Sequence, residues 1–115
     1  MATFSKIRLS GGVDGLPVLV VQTTTAGTLI HTAHATDQDE VWLYAVNTHS
    51  SAVVLTVEFG GVATKDQIKQ SIAVAPSGMV LVVPGIPLTN SMVVRCFAAT
   101  ASVITLNGYV NRITA

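Results

Sequence analysis

The chain has 115 residues, six basic and six acidic side chains that cancel to a formal net charge of zero, and a mean hydropathy of +0.59. Charged residues make up 10% of it, against roughly a quarter in average domains. Neutrality excludes a nucleic-acid binder that works by neutralising phosphates, and the lone Cys96 excludes an internal disulfide framework and fits a reducing compartment.

The length is that of one domain, residues 1–115, able to bury about two-thirds of its unfolded surface. Its charges are crowded into short stretches: residues 15–36, 41–57, 70–94 and 96–111 carry none. Either lipid or other protein must then cover much of the surface. A spanning helix needs about 20 consecutive apolar residues, and the longest neutral window is broken by Pro76, Gly78, Pro84, Gly85 and Pro87. No secretory signal is expected, because no long apolar segment follows Lys6 and Arg8. The expectation is no membrane, synthesis in the cytoplasm, and cover by other protein.

Val, Ile and Thr dominate, and turn residues recur every 8–12 positions or so, the pattern of a sandwich or barrel. Residues 4–9 form an edge strand within an N-terminal arm, residues 1–12, that ends at Ser10-Gly11-Gly12. Strands follow over 16–24 and 28–35, the second closed by an acidic turn, 36–40. Residues 41–47 are apolar in both alternation phases and lead to a polar turn at 48–51. The strand over 52–59 stops at Gly60-Gly61. Ile68, Ile72 and Val74 share one period-2 phase, which favours a strand over 67–74, followed by a turn at 76–78. Residues 79–83 form a buried strand that Pro84-Gly85-Ile86-Pro87 closes, since prolines do not fit a central ladder. Strands over 91–98 and 103–111 complete eight plus the arm. No stretch of helix length has a 3.6-residue apolar period. The expected fold class is all-β, a single antiparallel β-sandwich, of jelly-roll type or another sandwich.

Alternation places Val53, Leu55, Val57 and Phe59 on one face of their strand, with Ala52, Val54, Thr56 and Glu58 on the other. Met92, Val94, Cys96 and Ala98 oppose Val93, Arg95 and Phe97 in the same way. A free sandwich shows polar residues outward. Several strands here are apolar on both faces, as if one face packs on a neighbouring subunit, because obligate interfaces resemble a divided core.

Chemical motifs are sparse. His31 and His34 lie three apart on a strand and point to opposite faces, which is wrong for a shared metal, and the neighbouring acidic residues lack calcium-loop spacing. Cys96 in a strand centre reads as a structural thiol. Neither a Gly-x-Ser-x-Gly elbow nor a phosphate-binding glycine loop is present. Glu58 is expected to face outward or toward a basic partner. No catalytic residue, cofactor or metal is expected. Trp42 and Tyr44 alternate with Val41 and Leu43, so that one of the two phases is core and the other interface, and the thin aromatic content argues against a sugar platform. Arg95 and Arg112, isolated in neutral segments, are interface anchors or solvated strand positions. The interface candidates are Phe4, Lys6, Arg8, Trp42, Tyr44, Arg95 and Phe97.

Three stretches carry a resemblance: Ala26-Gly27-Thr28-Leu29-Ile30-His31-Thr32-Ala33; Val46-Asn47-Thr48 with Val53 to Gly61; and Val83-Pro84-Gly85-Ile86-Pro87-Leu88, Val94-Arg95-Cys96-Phe97-Ala98 and Ile104 to Ile113. Over most of its length the chain resembles small all-β virion proteins of tailed bacteriophages that decorate or cement the capsid. The resemblance implies a homotrimeric jelly-roll module on the capsid surface, assembled in the host cytoplasm. It would bind the major capsid protein and reinforce the shell, with no catalytic residues. A tail or fibre component that recognises a host surface is the alternative; its recognition tips would be 36–40 and 48–51.

Overall fold

A computed structural model describes residues 2–73 and 78–114. Its strands, in chain order, are β1 (Thr3–Arg8), β2 (Val18–Leu19), β3 (Thr28–Thr32), β4 (Gln38–Asn47), β5 (Val53–Phe59), β6 (Gln67–Ile72), β7 (Val80–Leu88), β8 (Val93–Ala98) and β9 (Ile104–Thr114). A 3-10 turn at Thr64–Asp66 precedes β6. Among the described residues no helix is long and apolar enough to cross a membrane.

The strands build a β-sandwich of two antiparallel sheets. The first has the order β1-β9-β4-β7, with β2 beside β1 on the same edge of β9; the second has the order β3-β8-β5-β6. The pairings nest: β5 with β6, β4 with β7, β3 with β8, β2 with β9. The chain is therefore one long hairpin, rolled so that successive strand pairs fall in alternate sheets. Alternate residues turn inward because Cβ atoms alternate along a strand. Val41, Leu43 and Ala45 of β4 meet Val53, Leu55 and Val57 of β5, Val94 and Cys96 of β8, and Ile104, Leu106 and Val110 of β9 in one apolar cluster.

Several strand limits differ from the alternation pattern, each for a physical reason. The prolines do not end β7, which runs through Pro84 and Pro87 to Leu88. It is an edge strand, where a missing N–H faces solvent, and two register shifts against β4 take up the irregularity. Gly85, at φ +72°, sits where a Cβ would come within 2.5 Å of the Trp42 indole. The predicted strand over 16–24 keeps regular pairing at Val18–Leu19 alone, since Gln22–Gly27 turns away to cover the second sheet. The predicted acidic turn is half strand: Gln38, Asp39 and Glu40 open β4. Strand β6 ends at Ile72, and Val74 lies outside the described residues.

The cover over the second sheet corrects the placement of Glu58. Alternation turns it outward, as expected, yet it is fully buried. The segment before β3 folds over it, and its carboxylate accepts the Gly27 N–H at 2.7 Å and the Thr25 hydroxyl. Arg95, across the ladder on β8, donates to the Gly27 carbonyl at 3.3 Å. Gly27 has no room for a side chain, because a Cβ would run into the Cys96 backbone. Replacing Glu58 by Ala leaves two donors under the cover without an acceptor. Glu58→Ala is expected to lower the unfolding free energy by about 2 kcal/mol in urea titrations, and to speed hydrogen exchange at the Gly27 amide.

Candidate functional site

The outer face of the first sheet holds five of the seven interface candidates. The register aligns Phe4 with Ile113 and Gln38, Lys6 with Asn111 and Glu40, and Arg8 with Tyr109 and Trp42. The next row contains Asn107, Tyr44 and Leu81, and the last contains Leu19, Thr105 and Val46. At its centre Trp42 and Tyr109 stack with ring centroids 6.3 Å apart and planes 13° from parallel. The Lys6 ammonium caps Tyr109 from the β1 side at 4.8 Å, while the Gly85 backbone packs on the indole from the β7 side. This makes a band across all four main strands, cation to phenol to indole to glycine. The Trp42 Nε1–H donates to Glu40 at 2.7 Å, and Asn111 donates to the same oxygen at 3.2 Å. Tyr109 lies between Lys6 and Trp42, so neither of its faces is open for a sugar ring. Tyr44, Val46, Leu19 and Leu81 form the apolar end of the face.

Arg95 and Phe97 lie elsewhere, half-buried on the outer face of the second sheet beside Glu58 and Thr56. The structure does not bring them together with Trp42. Arg95 is occupied by the cover segment rather than standing isolated.

The strongest polar cluster lies between the sheets, where the composition offered a solvated turn. Asp39 is fully buried at the inward-facing start of β4. Its carboxylate takes Arg112 Nε at 2.8 Å and Arg112 Nη2 at 3.0 Å from β9, His31 Nε2 at 2.7 Å from β3, and the His34 backbone N–H at 3.2 Å. Four donors fill a carboxylate's acceptor capacity. The Ser10 N–H donates to His31 Nδ1 at 3.1 Å, which leaves Nε2 as the protonated nitrogen facing Asp39. The Ser10 hydroxyl accepts the Thr32 N–H at 2.7 Å. Burial pushes the Asp39 pKa up; hydrogen bonds from Arg112 and His31, with the Arg112 charge, outweigh it and hold the carboxyl below its ordinary value. Asp39 in turn raises Arg112. Arg112 is thus neither a free interface anchor nor a solvated position.

His31 is buried because a register shift between Leu29 and His31 turns both Ile30 and His31 inward. His34 lies past the end of β3, and its Nδ1 accepts the N–H groups of Thr36 and Asp37. The sequence pointed to neither role, since His31 enters the core through a bulge and His34 is held by a loop that strand alternation does not describe. Chemically, the cluster offers little to a substrate: both imidazole nitrogens of His31 are engaged by protein. Burial and the Glu58 charge push the Cys96 thiol well up, opposing thiolate formation. Among the described residues no three His, Cys, Asp or Glu side chains are placed to share a metal ion.

No family model, curated protein or solved structure matches the chain.

Removing the carboxylate would leave Arg112 and His31 facing each other without an anion. Asp39→Ala is expected to cost about 3–5 kcal/mol of stability, measured by denaturant titration. Because the folded Asp39 pKa is depressed, its contribution is complete above the unfolded value of about 3.9 and is lost as pH falls through the folded value. The difference in melting temperature between wild type and Asp39→Asn is therefore expected to be widest above about pH 5, to begin narrowing below about pH 4, and to close only as pH falls through the folded value.

Proposed function

We propose that the chain is a structural subunit of a bacteriophage virion, a capsid decoration protein that binds the major capsid protein and stabilises the shell. The nested pairing of four strand pairs across two sheets supports reading the sandwich as a jelly roll. The observation that carries the functional reading is the outer surface: among the described residues twelve large apolar side chains stand more than a third exposed on a sandwich with few charges. Single exposed apolar residues are ordinary. Here Val46, Tyr44 and Leu81 adjoin one another on one sheet face, with Leu19 beyond Thr105 in the same row, and an apolar area of this kind marks a contact surface.

The mechanism is adhesive. Each copy spans neighbouring capsid subunits, and separating them re-exposes apolar surface at roughly 25 cal/mol per Å² before ordering costs are subtracted. Repeated over a shell, a modest contact opposes the pressure of the packaged genome.

Quantitative mass analysis of purified virions is expected to count the chain in hundreds of copies; a few to a few dozen would instead place it in the tail or a fibre. Leu81→Lys alters an exposed position of the apolar end. It is expected to leave thermal unfolding unchanged while lowering affinity for undecorated shells about tenfold or more.

A further inference from the structure

A sheet edge presents unpaired backbone groups and is normally guarded. Among the described residues, three of the sheet edges are guarded and one is not. Strand β7 carries Pro84, Pro87 and two register shifts. Strand β3 is overlaid by its own chain: Gly11 N–H bonds the Ile30 carbonyl, Ser10 takes the Thr32 N–H, and the Thr28 hydroxyl accepts from Val21 and Gln22. Strand β6 has an exposed lysine, Lys69, in its middle. Strand β1 pairs with β9 on one side, and among the described residues its backbone makes no other hydrogen bond. In an antiparallel ladder alternate residues turn both backbone groups to one side, so about half of β1 offers its N–H and C=O to the open edge. Its cations do not guard that edge, because Lys6 is drawn over Tyr109 and Arg8 packs on Gly15.

We infer that β1 is a self-pairing edge: two copies of the chain join β1 to β1 antiparallel about a two-fold axis, making one continuous sheet through both sandwiches. The occupant is a second copy because β1 is complementary to itself. An axis perpendicular to the sheet keeps outer faces on the same side and requires a residue to meet its own mate. Centred on Lys6, the register sets two like charges against each other. Centred on Ser5, it sets Phe4 opposite the partner's Lys6, twice, and Ser5 opposite the partner's Ser5. Phe4 is 69% exposed on the outer face and Ser5 is small and exposed, so each pair fits. In that register the partner's Thr3 and Ala2 run beside Ile7 and Arg8, where an open depression of about 650 Å³ flanks the strand. With the Lys6 ammonium held on Tyr109, its alkyl stem is left on the outer face for the partner's Phe4 ring to cover as a cross-strand pair. The pairing stands independently of the virion reading.

The test is sedimentation equilibrium on the full chain, together with oxidative cross-linking. The wild type is expected at twice the 12.0 kDa of one chain. Ser5→Cys places two thiols on the axis, at the separation of directly opposed strand residues, and is expected to become a disulfide-linked dimer on mild oxidation. Thr3→Cys places its mates roughly 13 Å apart along the strands and is expected to stay unlinked. Cys96 is buried, so the wild type is expected to give no covalent dimer. Phe4→Lys, which sets lysine against lysine, is expected to return the mass to that of one chain. A wild-type monomer, a trimer, or Thr3→Cys linking as fully as Ser5→Cys would each overturn the pairing.

Discussion

The buried Asp39 carboxylate is the constraint around which one end of this sandwich is arranged. A bare carboxylate in an apolar interior is untenable, so every neighbour has to supply a donor. Those donors come from β3, β4's own lead-in and β9, with Ser10 behind His31 tying in the chain that leaves β1. Strand β3 belongs to one sheet and β4 and β9 to the other. The carboxylate therefore works as a clasp between layers that apolar packing alone would hold with little regard to register. Such a cluster need not add net stability over a well-packed apolar substitute. What it excludes is slippage: shifting β4 by one residue would turn Asp39 to solvent and leave the guanidinium and imidazole inside without an anion.

A second tie of the same kind holds the other sheet. Glu58 points outward from β5, so the covering segment must come to it rather than the reverse. Gly27 is tight against Cys96, and its N–H is the donor that a larger residue could not bring as close. Both acidic residues thus fix chain segments that have little regular secondary structure of their own. The 22–27 segment and the 33–37 loop are short of strand pairing and are positioned by carboxylates instead.

This division explains what the sequence disclosed. Period-2 alternation located β5 and β8 and the inward Val53, Leu55, Val57, Val94 and Cys96, because those strands are regular and one phase is uniformly apolar. In β4, apolar in both phases, it separated Trp42 and Tyr44 from Val41 and Leu43 but did not distinguish the inward set from the outward one. It failed where a polar residue is buried by something distant in the chain. Asp39 sits in a run, Asp37-Gln38-Asp39-Glu40, whose local composition reads as a turn, while its partner Arg112 lies 73 positions away. His31 enters the core through a bulge, which breaks the very periodicity used to place it. Pro84 and Pro87 read as a terminator because edge position is a property of the sheet and not of the strand. Nothing local assigns Arg95 and Phe97 to a different face from Trp42, since sheet membership is set by pairing.

The scarcity of charge takes on a different weight once the ties are counted. Asp39, Arg112 and Glu58 are spent inside the fold, Arg95 is held by Gly27, and Lys65 pairs with its neighbour Asp66 at 2.7 Å. Glu40 is bound to Trp42 and Asn111, and Lys6 lies on Tyr109. The charges left to hydrate the surface and repel another copy are fewer than the composition implies. A molecule with zero net charge and many of its ions engaged by its own groups has little electrostatic barrier to association. Apolar side chains on the outer sheet face and an unguarded edge at β1 then meet no opposing field. On this argument the outer surface is a consequence of the interior: the same few charged residues that fix the loops and clasp the sheets are withdrawn from the work of keeping the chain apart from its neighbours.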